Sequence, residues 1–269
     1  MRILLTGGSG SLGTAILALP RPADTTIRVL SRRQPPRAFD GEWCQGDLLV
    51  GDDIARAVSG ADVIIHAASD PRRSDVVDVP GTEKLVSTAR RAGVRHLLYV
   101  SIVGVDAIPY RYYQDKFAIE EMVRRSGVPF SVLRITQFHP FIDMLFRRAA
   151  ARVPLVLPLP TRFRVQSVDL GEAAARVLAA ALDPPGGRLR DLGGPEVLTV
   201  GEAARAWKMA RQIRKPILPL PLPGAAARAF TRGLHTTSDG DRGAIRWQDW
   251  LAGRSSGAAP SERRKPLVR

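Results

Sequence analysis

The chain opens Met1-Arg2-Ile3-Leu4-Leu5-Thr6-Gly7-Gly8-Ser9-Gly10-Ser11-Leu12-Gly13. The apolar run Ile3-Leu4-Leu5 reads as a short strand. It leads into glycines at 7, 10 and 13, and a helix of small residues starts at Ser11. Glycine permits the positive φ of a sharp turn and lets backbone come close to a ligand. A helix N-terminus adds free N–H groups and the positive end of its dipole. Gly7, Gly10, Ser11, Leu12 and Gly13 together form an anion cradle. Strand, glycine loop and helix in that order are the context of the dinucleotide fingerprint G-x-G-x-x-G, written here as G-x-x-G-x-x-G.

The second strand, Thr26-Ile27-Arg28-Val29-Leu30, ends near the place where an NAD site puts an acid to hold the ribose hydroxyls. Here the chain reads Ser31-Arg32-Arg33. Paired guanidinium groups suit a dianionic 2′-phosphate by charge and by fork geometry. The expectation is NADP(H) over NAD(H).

Beyond this unit, strand and helix patterns alternate. Strands are expected at 42–46, 62–66, 94–101 and 129–135, and helices at 11–18, 52–59, 79–92 and 110–125. Gly93 and Gly127 follow the last two helices as stop signals. Val63-Ile64-Ile65 and Leu97-Leu98-Tyr99-Val100 are apolar throughout, as in strands buried on both faces of a parallel sheet. The fold class is α/β, a doubly wound parallel sheet (Rossmann) with a smaller C-terminal substrate lobe. The expected division is a dinucleotide-binding core over 1–136, an interleaved lobe over 137–253, and a basic tail over 254–269 that reads as disordered. In the lobe, helices are expected at 141–152, 170–182 capped by Asp169, 199–212 with a Thr199/Glu202 capping box, 223–232 and 247–251. The stretch 153–160 reads as a loop or edge.

Formal charge is +14, with five lysines and 35 arginines among 269 residues. The arginines are spread along the whole chain and no nucleic-acid-binding motif accompanies them, so no nucleic-acid partner is expected. No stretch approaches the ~18 apolar residues of a membrane span. The chain starts on a core strand rather than a secretory leader, so a cytoplasmic location and no membrane partner are expected. The lone Cys44 excludes an intrachain disulfide framework. The four histidines, 66, 96, 139 and 235, have no metal-ligand spacing, so no metal is expected. His66 and His96 read as core or sheet-end residues.

Tyr112-Tyr113-Gln114-Asp115-Lys116 lies at the start of the helix that follows the Ser101 strand. Tyr112 and Lys116 stand at i and i+4, on one helical face. A neighbouring ammonium favours the phenolate and lowers a phenol pKa from ~10 toward the working range. The lysine can also reach a nicotinamide ribose.

These residues resemble the short-chain dehydrogenase/reductase superfamily, in its atypical NmrA-like branch of NAD(P)H-binding proteins. The resemblance runs from Met1 to about Gly253. It is carried by Leu5 to Gly13, Gly46-Asp47-Leu48, Tyr99-Val100-Ser101-Ile102-Val103-Gly104-Val105-Asp106 and Tyr112 to Lys116. Leu133-Arg134-Ile135-Thr136-Gln137-Phe138-His139 and Val165-Gln166-Ser167-Val168-Asp169 also match. The resemblance implies that Asp47 and Leu48 line the adenine, and that Ala67, Ala68 and Ser69 run beside the pyrophosphate and ribose. It implies Lys116 on the nicotinamide ribose, Thr136 and Phe138 flanking the nicotinamide, and Tyr112 as proton donor. Tyr113 and His139 are expected in the substrate pocket, His139 as the one histidine to test as acid or base. The chain departs from the superfamily at the serine that orients a carbonyl: Ser101 stands earlier than that serine, before Ile102-Val103-Gly104. The leading expectation is an NADPH-dependent oxidoreductase reducing a carbonyl, imine or activated alkene of a small-molecule substrate. A dinucleotide-binding redox sensor and a non-redox cyclase or isomerase on the same fold remain open. Substrate identity and oligomeric state are not legible.

Overall fold

The computed structural model of the chain describes residues 1–36, 39 and 41–255, with side chains to 253. The first half runs β1 (Arg2–Thr6), α1 (Ser11–Leu17), β2 (Thr26–Ser31), β3 (Glu42–Gln45), α2 (Gly51–Val58) and β4 (Val63–His66). A π-helical turn (Ser74–Asp78) then leads directly into α3 (Val79–Arg91). β5 (His96–Ile102), α4 (Arg111–Arg125) and β6 (Phe130–Ile135) complete the alternation. The second half is made of shorter pieces: α5 (His139–Arg152), β7 (Leu157–Leu159), β8 (Arg164–Val165), α6 (Leu170–Leu182), β9 (Gly187–Arg188) and β10 (Leu192–Gly193). It ends with β11 (Leu198–Thr199), α7 (Val200–Ala210), β12 (Ile217–Pro219), α8 (Ala225–Arg232), β13 (Asp241–Arg242) and α9 (Trp247–Ser255). Apart from the backbone of 254 and 255, the basic segment 254–269 lies outside the described residues.

Nine strands form one sheet in the order β3-β2-β1-β4-β5-β6-β10-β13, with β9 also alongside β6. Every pairing in it is parallel. The chain winds outward in both directions from β1 and β4, so the carboxyl ends of these strands diverge around a crevice, the usual ligand site of such sheets. Alternate residues of the central strands enter opposite cores. Ile3, Leu5, Ile65, Leu98 and Val100 pack under α1 and the alanine-rich α6, while Leu4, Ile64, Leu97 and Tyr99 pack under α2, α3 and α4. Burial on both faces is the reason these strands carry no polar alternation.

The helix boundaries follow local chemistry. The Asp169 carboxylate accepts from the amides of Gly171 and Glu172 at the start of α6. Thr199 and Glu202 form the reciprocal capping box of α7. Gly93 and Gly127, at φ +68° and +74°, turn the chain out of α3 and α4. Helix α5 starts two residues earlier than its periodicity suggests, because Pro140 fits the first turn, where no amide hydrogen is needed. The stretch 153–160 contains β7, which pairs with β12 in a small separate parallel sheet. Strands β9, β10 and β13 are two residues long, too short to show a period, yet each joins the main sheet. A third core gathers Phe146, Trp207, Trp247 and Trp250 from α5, α7 and α9, with the last two rings stacked at 5.3 Å. Among the described residues, no helix is long and apolar enough to cross a membrane.

Between α4 and β6 lies a buried ion pair. Arg134 donates to both oxygens of Glu120, at 2.8 and 2.7 Å, and to Asp106 at 2.7 Å. Arg134 and Glu120 are both buried. Removing one member leaves the other charge without compensation, whereas replacing both by apolar side chains is far less costly. Arg134→Met is therefore expected to lose about 3–5 kcal/mol in urea unfolding. The double variant E120L/R134M is expected to recover most of that loss.

Candidate active site

The glycine loop packs backbone on backbone. Gly7 has φ +77°, and a Cβ there would stand 2.6 Å from the amide nitrogen of Ala68. A Cβ on Gly13 would stand 2.3 Å from the carbonyl oxygen of Gly7. The amide of Gly10 donates to that carbonyl at 2.9 Å, and Gly10 begins α1 without any side-chain cap. Gly13 thus seats the helix against the loop, and Gly7 lets the loop pass the turn after β4.

Beside the loop is a cavity of about 250 Å³ at the carboxyl ends of β1 to β4. Of the residues expected to bind cofactor, Gly7, Gly10, Arg32, Arg33, Asp47, Leu48, Ala67, Ala68 and Ser69 line it. Ser11, Leu12, Gly13, Lys116, Thr136 and Phe138 do not. Leu12 points into the core beside Ile16. The wall also contains Ser9, Leu30, Ser31, Gly46, Asp70, Val77 and Asp78, none of them among the residues expected to bind cofactor. Ser31 and Ser9 hydroxyls lie 3.1 Å apart. The two arginines are anchored by their backbones: the Arg33 amide donates to Ser31 Oγ, and its carbonyl accepts from Trp43 Nε1. Among the described residues, neither guanidinium makes an ion pair. A glycine-walled cavity with two guanidinium groups at its wall fits a phosphorylated dinucleotide in donor chemistry and in backbone approach. A larger cleft of about 670 Å³ lies between α4 and β9–β10. Its arginines are already paired with carboxylates, Arg124 with Glu121, Arg134 with Glu120 and Arg188 with Asp191.

Tyr112 and Lys116 share a face of α4, but among the described residues the hydrogen bonds of Lys116 go elsewhere. Lys116 is buried, and its Nζ donates to Tyr99 Oη at 3.1 Å and to the Val100 carbonyl at 3.2 Å. It stands 5.8 Å from the centre of the Tyr112 ring. Desolvation brings Lys116 down to about 8, against the pull of Asp78 and Glu120. The Tyr112 hydroxyl lies 2.8 Å from Ser69 Oγ. Burial pushes this phenol up to about 12; the Ser69 hydrogen bond acts in the opposite sense, and the carboxylates of Asp78 and Asp70 push it further up. The expected lowering by an adjacent ammonium is thus reversed in direction, because desolvation outweighs it and Lys116 is engaged by Tyr99. Ser101 follows Tyr99 on the same pleat face of β5. It is buried, and its Oγ has no hydrogen-bond partner among the described residues.

The remaining expectations divide. Tyr113 is buried against Phe230 of α8, with ring centres 5.9 Å apart. Its hydroxyl accepts from Gln137. Thr136 joins β6 to the segment after β10, accepting from the Gly194 amide. Phe138 bridges to Val168. His139 lines none of the cavities described above. It has no exposed surface, and its ring lies 5.6 Å from both Trp247 and Trp250. Both nitrogens are bonded, to Ser167 Oγ and to the Ile245 carbonyl, so the expected pocket position is corrected to a core position. α9, remote in sequence, closes over it.

At the floor of the site, His66 joins three elements. The Thr82 hydroxyl donates to the Asp78 carbonyl at 2.6 Å, so it accepts from His66 Nε2–H at 2.9 Å. His66 Nδ1 then accepts from the Thr6 hydroxyl at 2.7 Å. The ring is neutral: burial, aided by the charge of Lys116, brings its pKa down to about 3.

A doubly wound sheet with a glycine-loop cavity at its switch point and a tyrosine and lysine on the adjoining helix defines a dinucleotide-binding oxidoreductase. A family profile described as NAD(P)H-binding matches residues 7–140. A reductase of Streptomyces griseus, named (4-alkanoyl-5-oxo-2,5-dihydrofuran-3-yl)methyl phosphate reductase, is 31% identical over 229 residues, 80% of this chain and 75% of its own length. Several other curated relatives are matched over less than half of their own length. Among solved structures, a nucleoside-diphosphate-sugar epimerase of Staphylococcus aureus superposes with TM-score 0.78 at 20% identity, covering 93% of this chain and 99% of that one. The NADPH complex of quinone oxidoreductase QOR2 of Escherichia coli gives TM-score 0.76 at 16% identity, covering 94% and 99%. The chain belongs to the NAD(P)H-binding family, and it is an NAD(P)H-dependent oxidoreductase of the short-chain dehydrogenase/reductase type.

Because His66 is neutral in the folded chain and protonates near 6.5 when unfolded, the unfolded state binds more protons between pH 6.5 and 3. Stability falls as pH falls through that window. Between pH 7.5 and 5, urea unfolding of the wild type is expected to lose about 2 kcal/mol more than that of His66→Gln. Equal losses in both proteins would remove the neutral, bridging histidine.

Proposed function

We propose that the protein reduces a carbonyl, imine or activated alkene of a small molecule, using NADPH in preference to NADH. One observation carries the reading: the Tyr112 hydroxyl touches Ser69, a wall residue of the dinucleotide cavity, so the α4 tyrosine stands at the edge of the cofactor site. NADPH, when bound, supplies a hydride to the substrate. The chain's own residues supply orientation and a proton. A phenol held near 12 is fully protonated at neutral pH, which suits a donor rather than a base. The alkoxide left by carbonyl reduction is a stronger base than a phenolate, so proton transfer from Tyr112 runs downhill. Lys116, fixed on Tyr99 and Val100, places a positive charge behind the ring and favours the phenolate formed after transfer. Ser101, with its unpartnered hydroxyl, is a further group for the substrate or the nicotinamide end.

Residues 1–136 act as the cofactor core and 137–253 as the substrate lobe. In support, α8 packs on Tyr113, and the loop after β5 runs against Leu234 and His235, so the second half closes over the carboxyl end of β5. The Streptomyces griseus relative is named for an acyl-substituted unsaturated lactone, which carries both a carbonyl and an activated alkene. The preference for NADPH rests on Arg32 and Arg33 at the cavity wall, whose guanidinium groups make no ion pair among the described residues.

Nucleotide oxidation followed at 340 nm over a panel of carbonyls, imines and activated alkenes tests the reading. Tyr112→Phe is expected to lower kcat by about 10²–10⁴ with NADPH affinity unchanged. Full turnover in that variant sinks the assignment. The double variant R32A/R33A is expected to weaken NADPH by about 10–100-fold, as for loss of charge-assisted hydrogen bonds, and to leave NADH nearly unaffected. Equal weakening of the two nucleotides would mean that the arginines do not read the 2′-phosphate.

A further inference from the structure

Asp78 is the largest unexplained feature of the site. It is a buried carboxylate in the wall of the dinucleotide cavity, and it comes from a π-helical turn, a rare backbone form frequent at functional sites. Its Oδ1 and Oδ2 accept from the Asp70 amide at 2.9 and 3.0 Å, and Oδ2 also accepts from Ser69 Oγ at 2.9 Å. Ser69 has one hydroxyl proton, and that bond uses it. The 2.8 Å contact between Ser69 Oγ and Tyr112 Oη therefore runs from the phenol to the serine. The result is a continuous chain, Tyr112 O–H to Ser69 O–H to the Asp78 carboxylate.

The frame around this chain holds it to α4. Ser74 at the start of the π turn donates to Asp115 at 2.5 Å, and Arg111 pairs with Asp75 at 2.6 Å. Arg111, Tyr112 and Asp115 lie within one turn or so of α4, so the segment carrying Asp78 is clamped to the helix carrying the phenol. At its other end, the Asp78 carbonyl accepts from Thr82 and so ties into the His66 bridge.

We propose that Ser69 and Asp78 form a proton relay that refills Tyr112 from the cavity side after each turnover. The inference rests on the reading of Tyr112 as proton donor and adds its supply. The steps balance. The Tyr112 O–H bond breaks as its proton joins the reduced substrate. The Asp78 carboxylate takes a proton from solvent at the cavity. Ser69 turns its hydroxyl to the Tyr112 oxygen, passes that proton to it and takes the one on Asp78, which restores the Tyr112 phenol, the Ser69 hydroxyl and the Asp78 carboxylate. The hydride accounts for both electrons, so no further reductant enters.

The groups facing Asp78 are Asp70 from the turn after β4, and Lys116 and Tyr112 from α4, with Tyr99 behind them on β5. Burial raises the Asp78 pKa, partly offset by the Ser69 and Asp70 bonds and by Lys116. A carboxyl group so placed keeps a proton to higher pH than an exposed one, as a relay terminus requires.

The test has a part that needs no turnover. In cofactor-free protein labelled with 13Cζ-tyrosine, the Tyr112 resonance is the one missing from Tyr112→Phe. Ser69→Ala removes the acceptor and is expected to raise the pH at which that resonance titrates. Asp78→Asn removes a nearby negative charge and is expected to lower it. In turnover, wild-type kcat is expected to fall as pH rises through the range where Asp78 loses its proton. Asp78→Asn abolishes that limb. Ser69→Ala lowers kcat tenfold or more at saturating NADPH, and Ser69→Thr restores it. If both relay variants keep wild-type kcat, pH profile and Tyr112 resonance while Tyr112→Phe loses turnover, the relay is overturned and the reductase reading stands. If Tyr112→Phe keeps full turnover, the donor assignment falls and takes the relay with it.

Discussion

A methyl group on Gly13 would stand 2.3 Å from the Gly7 carbonyl oxygen, and one on Gly7 would meet Ala68 at 2.6 Å. Three backbone segments, from the end of β1, the start of α1 and the turn after β4, therefore meet without any side chain between them. This contact sets the positions of everything nearby. It fixes where Ala67, Ala68 and Ser69 run, and so places Ser69 against Tyr112 on α4. It also aligns Thr6 with His66 across adjacent strands, where their side chains bond. A cavity wall of main chain cannot yield as side chains do, which suits a ligand recognised by close backbone approach.

Helix α4 is the second organising element. Within a few turns it carries Arg111, Tyr112, Tyr113, Asp115, Lys116 and Glu120, which between them hold five different neighbours. Arg111 and Asp115 hold the π turn, Tyr112 holds Ser69, Tyr113 meets α8, Lys116 meets β5, and Glu120 pairs with Arg134 on β6. The Lys116 and Glu120 contacts are buried, so their charges act at low effective dielectric and through fixed hydrogen bonds. That is why burial dominates the titration of Tyr112, Lys116 and His66 alike. The site keeps a protonated phenol, a neutral histidine and a lysine of reduced basicity within one layer beneath the cavity.

The strand–glycine–helix opening, the alternating core elements and the Asp169 and Thr199 caps were legible in the sequence, because each depends on residues a few positions apart. The apolar stretches of β1, β4 and β5 declared burial on both faces for the same local reason. The wall contributed by Arg32 and Arg33 was legible as well, since they stand at the end of β2, whereas Asp47 and Leu48 were expected from the family resemblance alone. The two-residue strands β9, β10 and β13 were not, since two residues show no period and only pairing makes them strands, β9 and β10 along β6 and β13 along β10.

The sequence by itself determined the class of fold, the phosphate-cradle loop and the pairing of tyrosine with lysine on one helical face. Tertiary structure alone decided what those side chains do. Lys116 turns to Tyr99 rather than Tyr112, His139 lies under two tryptophans more than a hundred residues away, and Asp78 reaches Ser69 through a π turn that no spacing announces. Helical and strand periods are written in neighbouring residues, whereas hydrogen-bond partners and desolvation depend on which distant segments the packed core brings together.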